Sequence, residues 1–236
     1  MKKVTDLNAI KETAILMANL PIRPTSYDFI VDHPVFQSPI WYDNEEVINL
    51  MESDEGLRKA TAVIEEHIKK ASTPIRLMHV FRSSYYLTFL KFSRQHWSND
   101  DFAEALADAW VSEENPNGDV NVSVGLSAKW FRQCSKEALM NIEEYDTYLC
   151  LPESFIVYRG VAVGRNPDGM SWTRELDGAE WFSKRFGKGG YIIKGIAYKK
   201  DVLAYFARRN ESEVLIPACD VHDKIVCRNA DELIAC

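Results

Sequence analysis

The feature that most constrains this chain is a change of character at Pro152. Eight of the 11 glycines lie between positions 160 and 195. The same region holds short runs rich in β-branched and aromatic residues: Phe155–Arg159, Tyr191–Ile193 continuing to Ile196–Tyr198, Glu213–Pro217 and Asp223–Cys227. Such runs, punctuated by glycine, read as strands and turns. Helices are expected at 177–186, with Asp177 as N-cap, and at 200–207. Gly187-Lys188-Gly189-Gly190 reads as a turn into a strand.

The first 150 residues have a different periodicity. Leu7, Ile10, Ala14, Met17 and Ala18 fall at helical spacing. Pro34 and Pro39 bracket an aromatic connector ending at Trp41 and Tyr42. Asp43 with Glu45 and Glu46 predicts a helix start, followed by amphipathic spacing to residue 70. Further helices are expected at 75–95, from Asn99 or Asp100 to Trp110, and at 123–145. Glu114–Asp119 reads as a loop. The fold class is therefore α+β: a mostly helical region over 1–150, then a small sheet-containing core over 151–236.

Charge follows the same division. The chain carries a net charge of −7, but residues 151–236 hold 13 Lys+Arg against 12 Asp+Glu. The acidic balance belongs to residues 1–150, and the second region can accept an anionic ligand. No apolar run approaches the about 20 residues of a membrane helix, and Asp6, Lys11 and Glu12 interrupt any secretory-type stretch. Five dispersed cysteines (134, 150, 219, 227 and 236) contain no C-x-x-C pair. They are expected to be mostly buried free thiols in a reducing, cytoplasmic compartment. The five histidines form no zinc pattern, so no metal is expected. Neither a phosphate-binding P-loop nor a nucleophile elbow is present.

Three groups in the second region carry chemistry. Tyr158-Arg159-Gly160 places an arginine at the end of a β-run. Ser171-Trp172-Thr173 is a polar triplet after Gly169. Glu211-Ser212-Glu213 sets two carboxylates at the opening of another β-run. Taken singly, each group reads as an ion pair, a turn or a solvated face.

In combination and order they resemble the arginine–serine–glutamate class of mono-ADP-ribosyltransferases, of bacterial and phage type, over roughly residues 153–228. The runs Ala179–Phe186 and Lys200–Asn210 are similar to the helix after the serine motif and to the segment leading into the acceptor loop of that family. The triplet keeps the leading hydroxyl of the usual S-T-S. The resemblance implies a small split β-sheet catalytic core that uses NAD as a substrate and needs no metal. It implies that Arg159 contacts the NAD phosphate and that Gly160 lets the backbone approach the carboxamide. By the same resemblance Ser171 orients the catalytic carboxylate, Ser171, Trp172 and Thr173 belong to the NAD-binding set with Arg159 and Gly160, and Trp172 and Trp181 wall the pocket. Glu213 stabilises the cationic ribose, and Glu211 aligns an arginine acceptor. The product is ADP-ribose on a macromolecule, foremost a protein arginine. RNA or another nucleic acid is the alternative acceptor, in a toxin-like setting with an antitoxin or inhibitor partner. A catalytically weak NAD- or partner-binding module is the reading from another functional class. The Rossmann glycine fingerprint is absent, so NAD as a hydride carrier is not expected.

Overall fold

The computed structural model describes residues 3–43, 46–187, 189–208, 211–228 and 232. Glu45, Lys188, Arg209, Asn210 and Cys236, which figure in the expectations above, lie outside these. The chain divides into two compact units, Met1–Glu114 and Asn115–Cys236. The division falls earlier than the boundary expected near residue 150, because the helices between 124 and 149 pack with the sheet.

In the first unit, α1 (Leu7–Ala18) is capped by Asp6, whose carboxylate accepts from the Ala9 N–H at 3.1 Å. Short hairpins follow: β1 (Arg23–Pro24) with β2 (Val31–Asp32), and β3 (Ile40–Asp43) with β4 (Glu46–Asn49). The second hairpin stands where a helix start was expected at Asp43. Trp41, Tyr42, Val47 and Ile48 favour the extended chain, and helix α2 (Asp54–Lys70) waits for Ser53, whose hydroxyl accepts from the Gly56 N–H at 3.0 Å. The first unit is therefore less uniformly helical than its sequence suggests.

The expected helix at 75–95 is also divided, into α3 (Pro74–Met78) and α4 (Tyr86–Ser93). Between them the Arg82 N–H bonds the Pro34 carbonyl at 2.8 Å instead of continuing a helix. Helix α5 (Asn99–Ser112) is capped by Ser98, one residue before the expected cap. Its buried face, Phe102, Leu106 and Trp110, joins a core with Ile10, Leu77, Met78, Phe89 and Trp97. The rings of Phe81, Phe89, Trp97 and Phe102 form a chain with centroid spacings of 4.9, 6.4 and 6.4 Å.

The second unit opens with three short helices where one was expected: α6 (Val124–Gln133), α7 (Lys136–Leu139) and α8 (Ile142–Leu149). Ser135 and Asn141 each cap a new helix start, accepting from Ala138 and Glu144 respectively. A capping side chain offers the backbone an alternative to continuing the preceding turn. The strands are β5 (Ser154–Val161), β6 (Ser171–Thr173), β7 (Tyr191–Tyr198), β8 (Ala204–Phe206), β9 (Glu213–Leu215) and β10 (His222–Cys227). They form one six-stranded antiparallel sheet in the order β10-β7-β5-β6-β9-β8. The pairing across β5 and β6 is the single bridge Tyr158↔Thr173, whereas β5 and β7 pair along their full length. The sheet is thus two three-stranded parts joined at one point.

Helix α9 (Leu176–Lys184) packs on β5, with Glu175 and not Asp177 at its N-cap. Its Ala179 is buried with Ile192 and Cys227, against Tyr158 and Leu176. The segment expected to be helical at 200–207 is a 3₁₀ turn, Lys199–Asp201, followed by β8. All three β8 residues are buried, so the strand lacks the alternation that marks a half-exposed one. Among the described residues no helix is long and apolar enough to cross a membrane. The four described cysteines are unbridged; Cys150 and Cys219 are exposed and only Cys227 is buried, which corrects the expectation of mostly buried thiols.

Candidate functional site

Arg159 lies on β5, Ser171 opens β6 and Glu213 opens β9, and these three strands are consecutive in the sheet. Residues 12 and 42 positions apart in sequence are thereby brought to neighbouring backbones. Across β6 and β9, Thr173 stands opposite Glu213, and Ser171 opposite Leu215.

The guanidinium of Arg159 is the buried centre of the arrangement, only 8% exposed. Nη1 donates to the Ser171 carbonyl at 2.6 Å and Nη2 to the Asn166 carbonyl at 2.8 Å. The third nitrogen, Nε, is buried and has no hydrogen-bond partner among the described residues. Burial pushes the Arg159 pKa down to about 10, opposed by the charge of Glu213 and, more weakly, by Tyr191 and Asp168. The group therefore stays cationic at neutral pH, with Glu213 its largest electrostatic partner.

The link from β5 to β6 is fitted closely around this head group. A Cβ on Gly169 would lie 2.2 Å from Arg159 Nη2 and 2.8 Å from Asn117 Cγ. Asn166 closes a turn by accepting from the Asp168 N–H at 2.9 Å. Gly160, the neighbour of Arg159, faces helix α9. A Cβ there would come within 1.9 Å of the Ala179 carbonyl oxygen. Its bare Cα thus seats the helix, a packing reason that the sequence did not reveal.

The other expected residues are placed as follows. Ser171 is half-buried, and its hydroxyl accepts from Asn117 Nδ2 at 3.0 Å. Trp172 is buried, with its indole N–H unpartnered among the described residues. Thr173 accepts from the Glu175 N–H at 3.1 Å, fixing the entry to α9. Trp181 is 58% exposed, with its ring edge-on to Phe182 and the Arg185 guanidinium 5.3 Å from its centroid. Glu211 and Glu213 are both half-buried, and between them Ser212 donates to Glu175 Oε1 at 2.9 Å.

Two residues missed at the sequence level complete the site. Asn117, in the 3₁₀ turn Pro116–Gly118, bonds both Met170 and Ser171. Glu144, in α8 and 1% exposed, accepts from the Ala207 N–H at 3.1 Å and meets Arg208 Nε at 3.3 Å. It therefore anchors the chain where β8 leaves for the two glutamates. Asn117 stands in an ordinary turn sequence, and Glu144 in an ordinary capping box, so neither carries a signal beyond local structure. No cluster of three or more His, Cys, Asp or Glu among the described residues is arranged to hold a metal ion. No protein-family model matches the chain, and neither a curated protein nor a solved structure shows significant similarity to it.

Proposed function

We propose that the unit over 115–236 is a mono-ADP-ribosyltransferase: it cleaves the nicotinamide–ribose bond of NAD and transfers ADP-ribose to a macromolecular acceptor, foremost a protein arginine. The observation that carries this reading is the arrival of Arg159, Ser171 and Glu213 on three consecutive strands of one sheet. Cleavage leaves nicotinamide as a neutral leaving group and builds positive charge on the ribose, as in glycoside hydrolysis. Glu213 supplies the compensating negative charge and accepts from a ribose hydroxyl. Arg159 supplies a buried positive charge and, through Nε, one free donor for the NAD phosphate. Its two Nη groups hold the loop that carries Ser171. Glu211 aligns the acceptor guanidinium and takes its proton as the new carbon–nitrogen bond forms; assistance of this kind is worth about 10²–10⁴-fold.

The test is nicotinamide release from NAD by the purified chain, with and without an arginine acceptor. Wild type is expected to release nicotinamide, Glu213→Gln to lose nearly all of that activity, and Glu211→Ala to keep hydrolysis while losing arginine transfer. A wild-type chain that leaves NAD intact in the presence of protein and RNA acceptors, or a Glu213→Gln variant that turns over at the wild-type rate, refutes the assignment. Splitting labelled product between protease-sensitive and nuclease-sensitive fractions of a lysate identifies the acceptor class.

A further inference from the structure

We infer that Asn117 is a positioning residue of this site: it dictates which way the Ser171 hydroxyl points its proton, an inference that rests on the transferase reading above. The direction follows from the hydrogen-bonding partners. Asn117 Oδ1 lies 2.7 Å from the Met170 N–H, a group that can only donate. That contact decides the amide orientation, because the reversed amide would set donor against donor. Nδ2 is then fixed as the atom 3.0 Å from Ser171 Oγ, and an amide nitrogen can only donate. Ser171 Oγ is consequently an acceptor on this side. Its single proton is turned away from Asn117, toward whatever acceptor the opposite side presents.

The rest of the turn holds the amide in place. The Asn117 carbonyl oxygen lies 3.5 Å from Asn166 Nδ2. Gly169 leaves room for the amide carbon and the Arg159 head group to close on each other, since a Cβ there would be 2.8 Å from one and 2.2 Å from the other. The result is a one-way chain of donors: Met170 N–H to Asn117, Asn117 to Ser171, Ser171 outward. A hydroxyl locked as an outward donor suits a carboxylate acceptor, and in the proposed reaction that carboxylate is Glu213. An unfixed serine would spend part of its time donating to its neighbours and leave the carboxylate without that bond.

Asn117→Asp tests the direction with almost no change of shape. Both carboxylate oxygens accept, so the Met170 contact survives while the Ser171 proton is drawn back toward residue 117. The expected result is a fall in kcat for nicotinamide release of about 10- to 100-fold, the usual range for a supporting group behind a reacting one, with the NAD KM little changed. Asn117→Ala removes the donor without installing an acceptor, should lose less than Asn117→Asp, and serves if the Asp variant does not fold. In a Ser171→Ala background, Asn117→Asp should cause no further loss, because no hydroxyl is left to misdirect. An active wild type with a full-rate Asn117→Asp variant, or an Asp penalty that persists in full on Ser171→Ala, overturns the role of Asn117 and leaves the transferase reading standing. A wild type without NAD turnover refutes both.

Discussion

Replacing Gly160 by alanine opposes two effects of different sign. Glycine inside a strand is worse than alanine by about 0.5–1 kcal/mol, because its backbone loses more freedom on folding. On that ground alone Gly160→Ala would stabilise the protein. The packing argues the reverse. The added Cβ would sit 1.9 Å from the Ala179 oxygen, 2.7 Å from the Ser183 nitrogen and 2.9 Å from the Ala179 carbonyl carbon. The first distance falls about 1.5 Å short of ordinary contact, and all three atoms belong to the α9 backbone, which no rotamer change can move aside. Helix α9 must lift off β5, taking Ala179 away from Ile192 and Cys227. Overpacking of this kind costs about 1–3 kcal/mol, and a backbone clash belongs at the upper end. The net expectation is a loss of about 2 kcal/mol, read from urea unfolding followed by the tryptophan fluorescence of the second unit. Gly178→Ala is the internal control. It lies on the same helix, and a new Cβ there would be 3.9 Å from the side chains of Glu175 and Thr173. Helix propensity alone then predicts a gain of about 0.5–1 kcal/mol. A Gly160→Ala variant as stable as wild type would refute the claim that this glycine seats the helix.

Two further perturbations test the supports around the site and the first unit. Glu144→Ala strands Arg208 and uncaps the Ala207 N–H; breaking a buried ion pair costs about 3–5 kcal/mol, and the partial exposure of Arg208 places this one near about 3 kcal/mol, with hydrogen exchange expected to rise at 207–208 and 211–213. Wild-type exchange there after the substitution would show that Glu144 does not hold the loop. In the first unit, buried His33 donates from Nε2 to the Leu20 carbonyl and accepts at Nδ1 from the Val35 and Phe36 N–H groups. Burial lowers its pKa below the usual 6.5, so the unfolded chain takes up a proton first, and stability falls as pH drops below about 6.5, by at most about 1.4 kcal/mol per pH unit. His33→Gln should remove that part of the acid slope in a comparison of urea midpoints at pH 7 and pH 5; an unchanged slope would exclude His33 as its source.

How far the sequence predicted these features depended on how local the determining forces are. The β5 and β7 runs are legible because contiguous β-branched and aromatic residues, Phe155–Tyr158 and Tyr191–Ile193, favour the extended chain wherever they are packed. Strand β8 falls inside a stretch whose sequence predicts a helix, because it is buried throughout and carries no period-2 signature. Strand β6 looked like a turn, since Ser-Trp-Thr is too short to show any period and is held by its neighbours β5 and β9. Arg159, Ser171 and Glu213 were singled out through a resemblance, and their convergence is a property of strand order that no local pattern encodes. Asn117 and Glu144 act across 54 and 63 positions of sequence, and nothing local to either residue announces its partner.

The order of the strands also gives a reason for burying a guanidinium at this point. On its β9 side, the Met170 carbonyl accepts from the Ile216 N–H at 2.9 Å. Successive carbonyls along a strand point to opposite edges, so the Ser171 carbonyl turns toward β5. There the ladder has already ended, because β5 and β6 share only the bridge at Tyr158 and Thr173. A carbonyl left unpaired in this buried setting would cost about 1–3 kcal/mol. Arg159 Nη1 takes the place of the missing ladder donor, and Nη2 ties the returning loop to the same strand. The cation is therefore a structural member of the sheet at the point where its two parts separate, and its Nε is left without a partner among the described residues. Lysine at this position would keep the charge but lacks the planar fork needed to reach both carbonyls. On this argument, the site and the weakest seam of the sheet are one feature.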